Sequence, residues 1–291
     1  MSGTAKTKKN IQLAGALITM AITLALLVAM VVCMRRCAAE WPRPSLDASG
    51  ATVGTRPSLV PEATLVPNPY TAADFEQKNG YLTCTAGKSM LGVDVSSYQG
   101  IIDWQKVADA GVEFAMIRVG FRAWGTQGEL HKDLYWKENL QGAADAGLQV
   151  GVYFFSQAIS EAEAVEEARY VLALLDGAEL QLPIVFDWET VPSEDARTNG
   201  VSSRELNDFA HAFCREVEAA GYDPMVYFNL DFAKWRYDLL ELQAAGFDFW
   251  LAMYSEQMTY ANRVQMWQYS CTGTVPGIST NVDLNLYFPY D

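Results

Sequence analysis

The sequence predicts an α/β fold: a modified (β/α)8 TIM-like barrel with shortened last units, preceded by an N-terminal transmembrane helix. Three observations predict it. Eight short apolar runs of strand length recur from Leu91 onward, and amphipathic stretches of helical period separate the first of them. Gly111, Gly147, Gly221 and Gly246 stand at the ends of those stretches, where a helix C-cap favours a left-handed residue. Far upstream, Ile11 to Cys33 is 23 residues without a charge. As a helix it would be about 34 Å long at ~1.5 Å per residue, enough to cross a bilayer.

Taken in order, residues 1–10 form a short basic tail and 11–34 a signal anchor; Arg35 and Arg36, where a small-residue cleavage site would be expected, favour an uncleaved one, and Ala38-Ala39 leaves cleavage open. Lys6, Lys8 and Lys9 precede the apolar stretch, so the basic bias is only three to two. The expected topology, tail inside and folded domain extracytoplasmic in a single-pass membrane protein, rests on the cargo. Residues 35–80 read as an extended linker, since six of the 11 prolines fall there among Ser, Thr, Ala and Gly. Residues 81–291 are left as the folded domain, expected to be a monomer.

The whole chain carries a net charge of −14. The first 40 residues hold five basic groups and one acidic group, so the remainder is near −18. Such a surface excludes nucleic acid and anionic lipid as partners of the folded domain. Of the five cysteines, Cys84, Cys214 and Cys271 lie beyond the anchor. No Cys-x-x-Cys or Cys/His cluster has metal-ligand spacing, so neither a metal nor a cofactor is expected. Cys214 falls in a helical pattern and reads as a small buried apolar residue. A Cys84–Cys271 disulfide stays open.

The strand candidates are residues 91–95, 114–119, 149–155, 183–187, 225–229, 249–253, 264–268 and 282–286. Helices fit 104–110, 135–146, 161–175, 203–220 and 232–245. The fourth strand, Leu182-Pro183-Ile184-Val185-Phe186-Asp187-Trp188-Glu189, ends in two carboxylates. Alternation puts Val185, Asp187 and Glu189 on one face and Ile184, Phe186 and Trp188 on the other, with the two acids about 7 Å apart at ~3.3 Å per residue. Desolvation and mutual repulsion favour protonating one of two acids held so close, and a proton donor beside an anion suits acid-catalysed cleavage of an acetal. In barrels of this type catalysis sits at the C-terminal ends of the strands. Asp94 stands at that end of the first strand, and the last strand adds Asp283. Tyr153, Tyr227, Tyr254 and Trp267 recur at strand ends, where rings would stack on the apolar faces of sugars. Tyr98, Gln99 and Asn229 complete the candidate substrate contacts, while His131 and His211 read as structural.

Gly92-Val93-Asp94-Val95-Ser96-Ser97-Tyr98-Gln99-Gly100, Ile117-Arg118-Val119-Gly120, Gly151-Val152-Tyr153-Phe154-Phe155-Ser156, Pro183-Ile184-Val185-Phe186-Asp187-Trp188-Glu189, Trp267-Gln268-Tyr269 and Val282-Asp283-Leu284-Asn285 occur in this order. Together they resemble glycoside hydrolase family 25, the Chalaropsis-type lysozymes, over about Leu91 to Phe288. The resemblance implies a modified β/α barrel that cleaves the β-1,4 bond between N-acetylmuramic acid and N-acetylglucosamine in the glycan strands of peptidoglycan. It implies Glu189 as general acid, Asp187 as its partner carboxylate, and Asp94 and Asp283 as the acids completing the cluster. Two other readings stay open: a module that grips wall glycan without cutting it, and a hydrolase of chitin-like oligosaccharide.

Overall fold

The computed structural model describes residues 64–290. The expected tail, transmembrane anchor and most of the linker lie outside them. Among the described residues no helix is long and apolar enough to cross a membrane.

Eight strands close into a barrel in the order β3 (Met90–Val95), β4 (Phe114–Arg122), β6 (Gln149–Ser156), β7 (Ile184–Trp188), β8 (Pro224–Asn229), β9 (Asp248–Ala252), β10 (Met266–Gly273) and β11 (Val282–Tyr287). The ring is shut by pairing of β3 with both β4 and β11. A short β5 (Leu130–Lys132) adds antiparallel to β4 outside the ring. Seven strands run parallel and β11 runs the other way, antiparallel to β10 and β3. Only eight residues join β10 to β11, too few for the crossover of a dozen or more that a parallel strand needs. This reversal brings the start of β11, with Asp283, to the end of the barrel where the other strands finish; Asp283 sits directly opposite Asp94 in the register.

The helices α1 (Trp104–Asp109), α2 (Trp136–Asp145), α3 (Glu161–Leu175) and α4 (Ser203–Ala219) follow the sequence pattern closely. Asp103, Ser160 and Ser202 cap three of them, each accepting from a backbone N–H of the first turn. The single helix expected over 232–245 is two, α5 (Leu230–Trp235) and α6 (Leu239–Ala244). The break occurs because Asp238 caps α6, accepting from Glu241 N, while its own N–H donates to Asn207 Oδ1. No helix follows β9 or β10, which gives the shortened last units.

Strand alternation sorts the core into two compartments. Inside the barrel pack Phe114, Met116, Leu182, Val185, Met225, Tyr227, Trp250, Ala252 and Met266. Outward-facing Val93, Ile117, Val152, Ile184, Phe186, Trp188 and Leu284 belong to the larger cluster between barrel wall and helices. Gly92 is required inside, because a Cβ there would stand 2.2 Å from the Phe114 ring.

The linker expected to reach residue 80 is folded onto the barrel from its first described residues. Val66 N–H donates to Gln243 Oε1 and Arg263 N–H to Val66 O, both at 2.8 Å. Asn68 bonds the carbonyls of Ala261 and Tyr260. The Tyr70 ring lies 5.1 Å from that of Phe288, and Phe75 meets Trp267 edge-on at 5.3 Å. β1 (Phe75–Lys78) and β2 (Tyr81–Cys84) form a hairpin whose turn, Asn79-Gly80, has positive φ at both residues, 54° and 87°. Two-residue turns of that hand match the twist of paired strands. Proline content made this stretch look like a tether, but alternate residues bury enough ring surface to dock it. Cys84, Cys214 and Cys271 are buried, and Cys84 and Cys214 are thiols, so no Cys84–Cys271 bridge forms.

Candidate active site

The inward positions at the strand ends supply the site. Asp94 from β3, Asp187 and Glu189 from the end of β7, and Asp283 from β11 point by alternation to the barrel mouth. Asp94 is buried. Its Oδ2 accepts two hydrogen bonds of 2.8 Å, from Gln268 Nε2 and Asn285 Nδ2. Burial pushes its pKa up to about 6 against the pull of those two amides, and the charge of Glu189 adds to the rise.

Gln268 is held from its other end. Tyr227 and Tyr254 hydroxyls both donate to its Oε1, at 3.0 and 3.2 Å, which turns its NH2 toward Asp94. Asn285 is fixed likewise by Trp250, whose Nε1–H donates to Asn285 Oδ1 at 2.9 Å. These two amides therefore present donors, not acceptors, to Asp94. Tyr153, Tyr227 and Tyr254 are raised chiefly by burial, and the acids add to it: Asp94, Asp187 and Asp283 act on Tyr153; Glu189, Asp187 and Asp94 on Tyr227; Asp283, Glu189 and Asp94 on Tyr254. The four acids and three tyrosines thus share one electrostatic neighbourhood.

Arg118, inward on β4, is the cation at its edge. Asp133 Oδ2 accepts from Arg118 Nε and Nη2 at 3.0 and 2.8 Å, and the guanidinium lies 5.2 Å over the Tyr98 ring. Tyr98 is half exposed at the rim.

Three sequence candidates are engaged in structural bonding. Trp267 points out of the barrel and is fully buried; its Nε1–H donates to Met253 O at 2.7 Å while its ring packs on Phe75. Gln99 clips the turn after β3: its Oε1 accepts from Ser96 N–H at 2.9 Å and its Nε2 donates to Asn281 O at 3.2 Å. Asn229 caps α5, accepting from Phe232 N–H at 3.0 Å. Gln268, Asn285, Trp250 and Arg118 were not among the candidates. Parity was the missed signal, since Gln268 is two residues from inward Met266 and Asn285 two from Asp283.

A model of the glycosyl hydrolases family 25 matches residues 93–278. The chain belongs to this family. It is accordingly a glycosidase, with Asp283 and Asn285 just beyond the matched stretch. It is 30% identical over 215 residues to the uncharacterized protein YegX of Escherichia coli K12, covering 69% of this chain and 71% of that protein. Lysozyme M1 of Streptomyces globisporus is 29% identical over 204 residues, 67% of either chain. Among solved structures, the modular autolysin LytC of Streptococcus pneumoniae superposes with a TM-score of 0.61 at 21% identity, which speaks for the fold. The match covers 74% of this chain and only 52% of LytC, so this family 25 chain spans about half that autolysin's length.

Proposed function

We propose that this family 25 glycosidase is a muramidase that cleaves the β-1,4 bond between N-acetylmuramic acid and N-acetylglucosamine in peptidoglycan. The observation that carries the reading is the convergence of Asp94, Asp187, Glu189 and Asp283 on one barrel mouth, with a Tyr227/Tyr254–Gln268 relay bonded to Asp94. Relatives named as lysozymes, and the structure of LytC in complex with a synthetic peptidoglycan ligand, support the substrate class.

Glu189 donates its proton to the glycosidic oxygen as the C1–O bond breaks. Asp187 orients the substrate's acetamido group, whose carbonyl oxygen attacks C1 from the opposite face, and its charge stabilises the cation that forms. Water then displaces the acetamido oxygen from C1, the C1–O bond to it breaking as the new one forms, and returns a proton to Glu189, so the configuration is retained. Asp94 and Asp283 face each other at the mouth, while the tyrosine rings, above all half-exposed Tyr254, offer flat faces to the sugar. Glu189→Gln should lower turnover on purified peptidoglycan about 10²–10⁴-fold, the usual contribution of a positioned acid. Near-normal release of reducing sugar by that variant would sink the assignment. Running a pure N-acetylglucosamine polymer beside peptidoglycan, with products identified by mass, separates the muramidase from a hydrolase of chitin-like chains.

The same proposal places the domain outside the cell membrane, held by the apolar stretch Ile11–Cys33. The full chain should fractionate with membranes and its domain should yield to external protease once the wall is removed. A domain protected inside the cytoplasm would refute that topology.

A further inference from the structure

Pairing between β6 and β7 ends at Ser156 opposite Trp188. Just past that pair, the side chain of Gln157 reaches across to the main chain of Glu189. Gln157 is fully buried, and its side-chain Nε2 donates to Glu189 O at 2.6 Å and to Ser156 O at 2.8 Å. Both partners are carbonyl oxygens, so they identify which end of the amide is the nitrogen. The opposite end, Oε1, is buried without a hydrogen-bond partner among the described residues. An unmet interior oxygen is destabilising, so a side chain serving packing alone would not favour an amide here.

The backbone carrying Gln157 is itself anchored in a set of charges behind the mouth. Arg197 Nη1 donates to Gln157 O at 3.1 Å, and Arg197 Nη2 pairs with Glu163 at 2.6 Å. Arg122 bonds Glu167 at 2.7 Å, and Glu167 accepts from Ser156 Oγ at 2.5 Å. The clamp therefore has a rigid base in β4, α3 and the segment after β7.

We infer that Gln157 is a positioning residue: its amide bonds the main chain of Glu189 where β7 ends and fixes it, and through it where the Glu189 carboxyl stands. The inference rests on Glu189 being the proton donor. A catalytic group must be held within about 0.5 Å of its productive place, and a misplacement of about 1 Å can cost 10²-fold.

The full chain carrying Gln157→Leu, which keeps the volume and loses the donor, should lose about 10- to 100-fold in kcat on peptidoglycan while KM stays within about twofold. In Gln157→Glu a carboxylate faces two carbonyls when ionised and can donate an O–H to one of them when protonated. Its kcat relative to wild type at the same pH should therefore rise as pH falls, while the Leu variant stays low throughout. Arg197, Arg122, Glu163, Glu167 and Glu189 surround the position in both variants, so comparing the two removes their own titration. Wild-type kcat in Gln157→Leu overturns the inference. So does a pH-independent deficit in Gln157→Glu, or a loss that merely follows the folded fraction measured by circular dichroism. With Glu189→Gln assayed alongside, inactivity there beside a fully active Gln157→Leu removes the clamp alone. Activity in Glu189→Gln removes the catalytic assignment on which the clamp depends.

Discussion

Replacing Asp94 by Asn should make the domain more stable near neutrality, even though Asp94 belongs to the candidate catalytic cluster. Burial raises the folded-state pKa of Asp94 to about 6, whereas an unfolded aspartate titrates near 3.9. Because the folded value is the higher one, the favourable term is complete below about pH 4 and is lost as pH rises through about 6. Two pH units at ~1.36 kcal/mol each amount to about 3 kcal/mol. Asn avoids that penalty and keeps the local bonding, since Gln268 and Asn285 both donate to the single oxygen Oδ2, which the Asn carbonyl can replace. In a domain of this size about 3 kcal/mol corresponds to roughly 6–12 °C in Tm. Melting both proteins at pH 4 and pH 7.5 reads the effect: Asp94→Asn should match wild type at pH 4 and exceed it at pH 7.5. Glu167 and Asp248, also raised by burial to about 7 and about 6, titrate in both proteins and cancel in the comparison. A gap between the two proteins that is the same at both pH values would refute the reasoning, as would a variant that loses ground on going to pH 7.5.

Hydrolysis of peptidoglycan should peak below neutral pH, because the donor must carry its proton while the cluster keeps an anion; a rate that climbs steadily to pH 9 would contradict a carboxylic acid donor. EDTA should leave the rate unchanged, and loss restored by one particular metal would show that the acid cluster holds a cation. A chain begun at Lys78 should melt below one begun at Val60, since it lacks the partly buried Leu65, Tyr70 and Phe75. Full burial of one such side chain is worth ~1.5–3 kcal/mol, so about 3 kcal/mol is expected for the three together. Equal Tm values would mean the segment adds nothing to the fold.

Alternation made much of the site legible. Val185, Asp187 and Glu189 against Ile184, Phe186 and Trp188 is a two-residue period that the barrel obeys, because its interior and its helical layer are separate apolar compartments. The same rule applied to β10 would have sent Trp267 outward and brought Gln268 in. Trp267 was chosen for being aromatic and near a strand end, and ring type says nothing about facing. Gln99 and Asn229 sit at the right end of their strands, but short polar segments there also need caps, and both amides serve that purpose. The hairpin at Asn79-Gly80 carried a strong local turn signal that the surrounding prolines outweighed. The clamp on Glu189 could not be read from sequence, since Gln157 and Glu189 meet only because β6 and β7 are neighbours.

The reversed last strand also decides where the chain leaves the barrel. β11 starts at the mouth and so finishes at the opposite face, where Phe288 meets Tyr70 of the incoming segment. Val66 bonds Gln243 and Arg263 on that same side, near the last turn of α6 and the start of β10. Both ends of the fold therefore depart together from the base. A bead, a fluorescent reporter or a second module attached at either end of the described fold would leave the mouth open, and joining those two ends into a circle would need only a short bridge at the base.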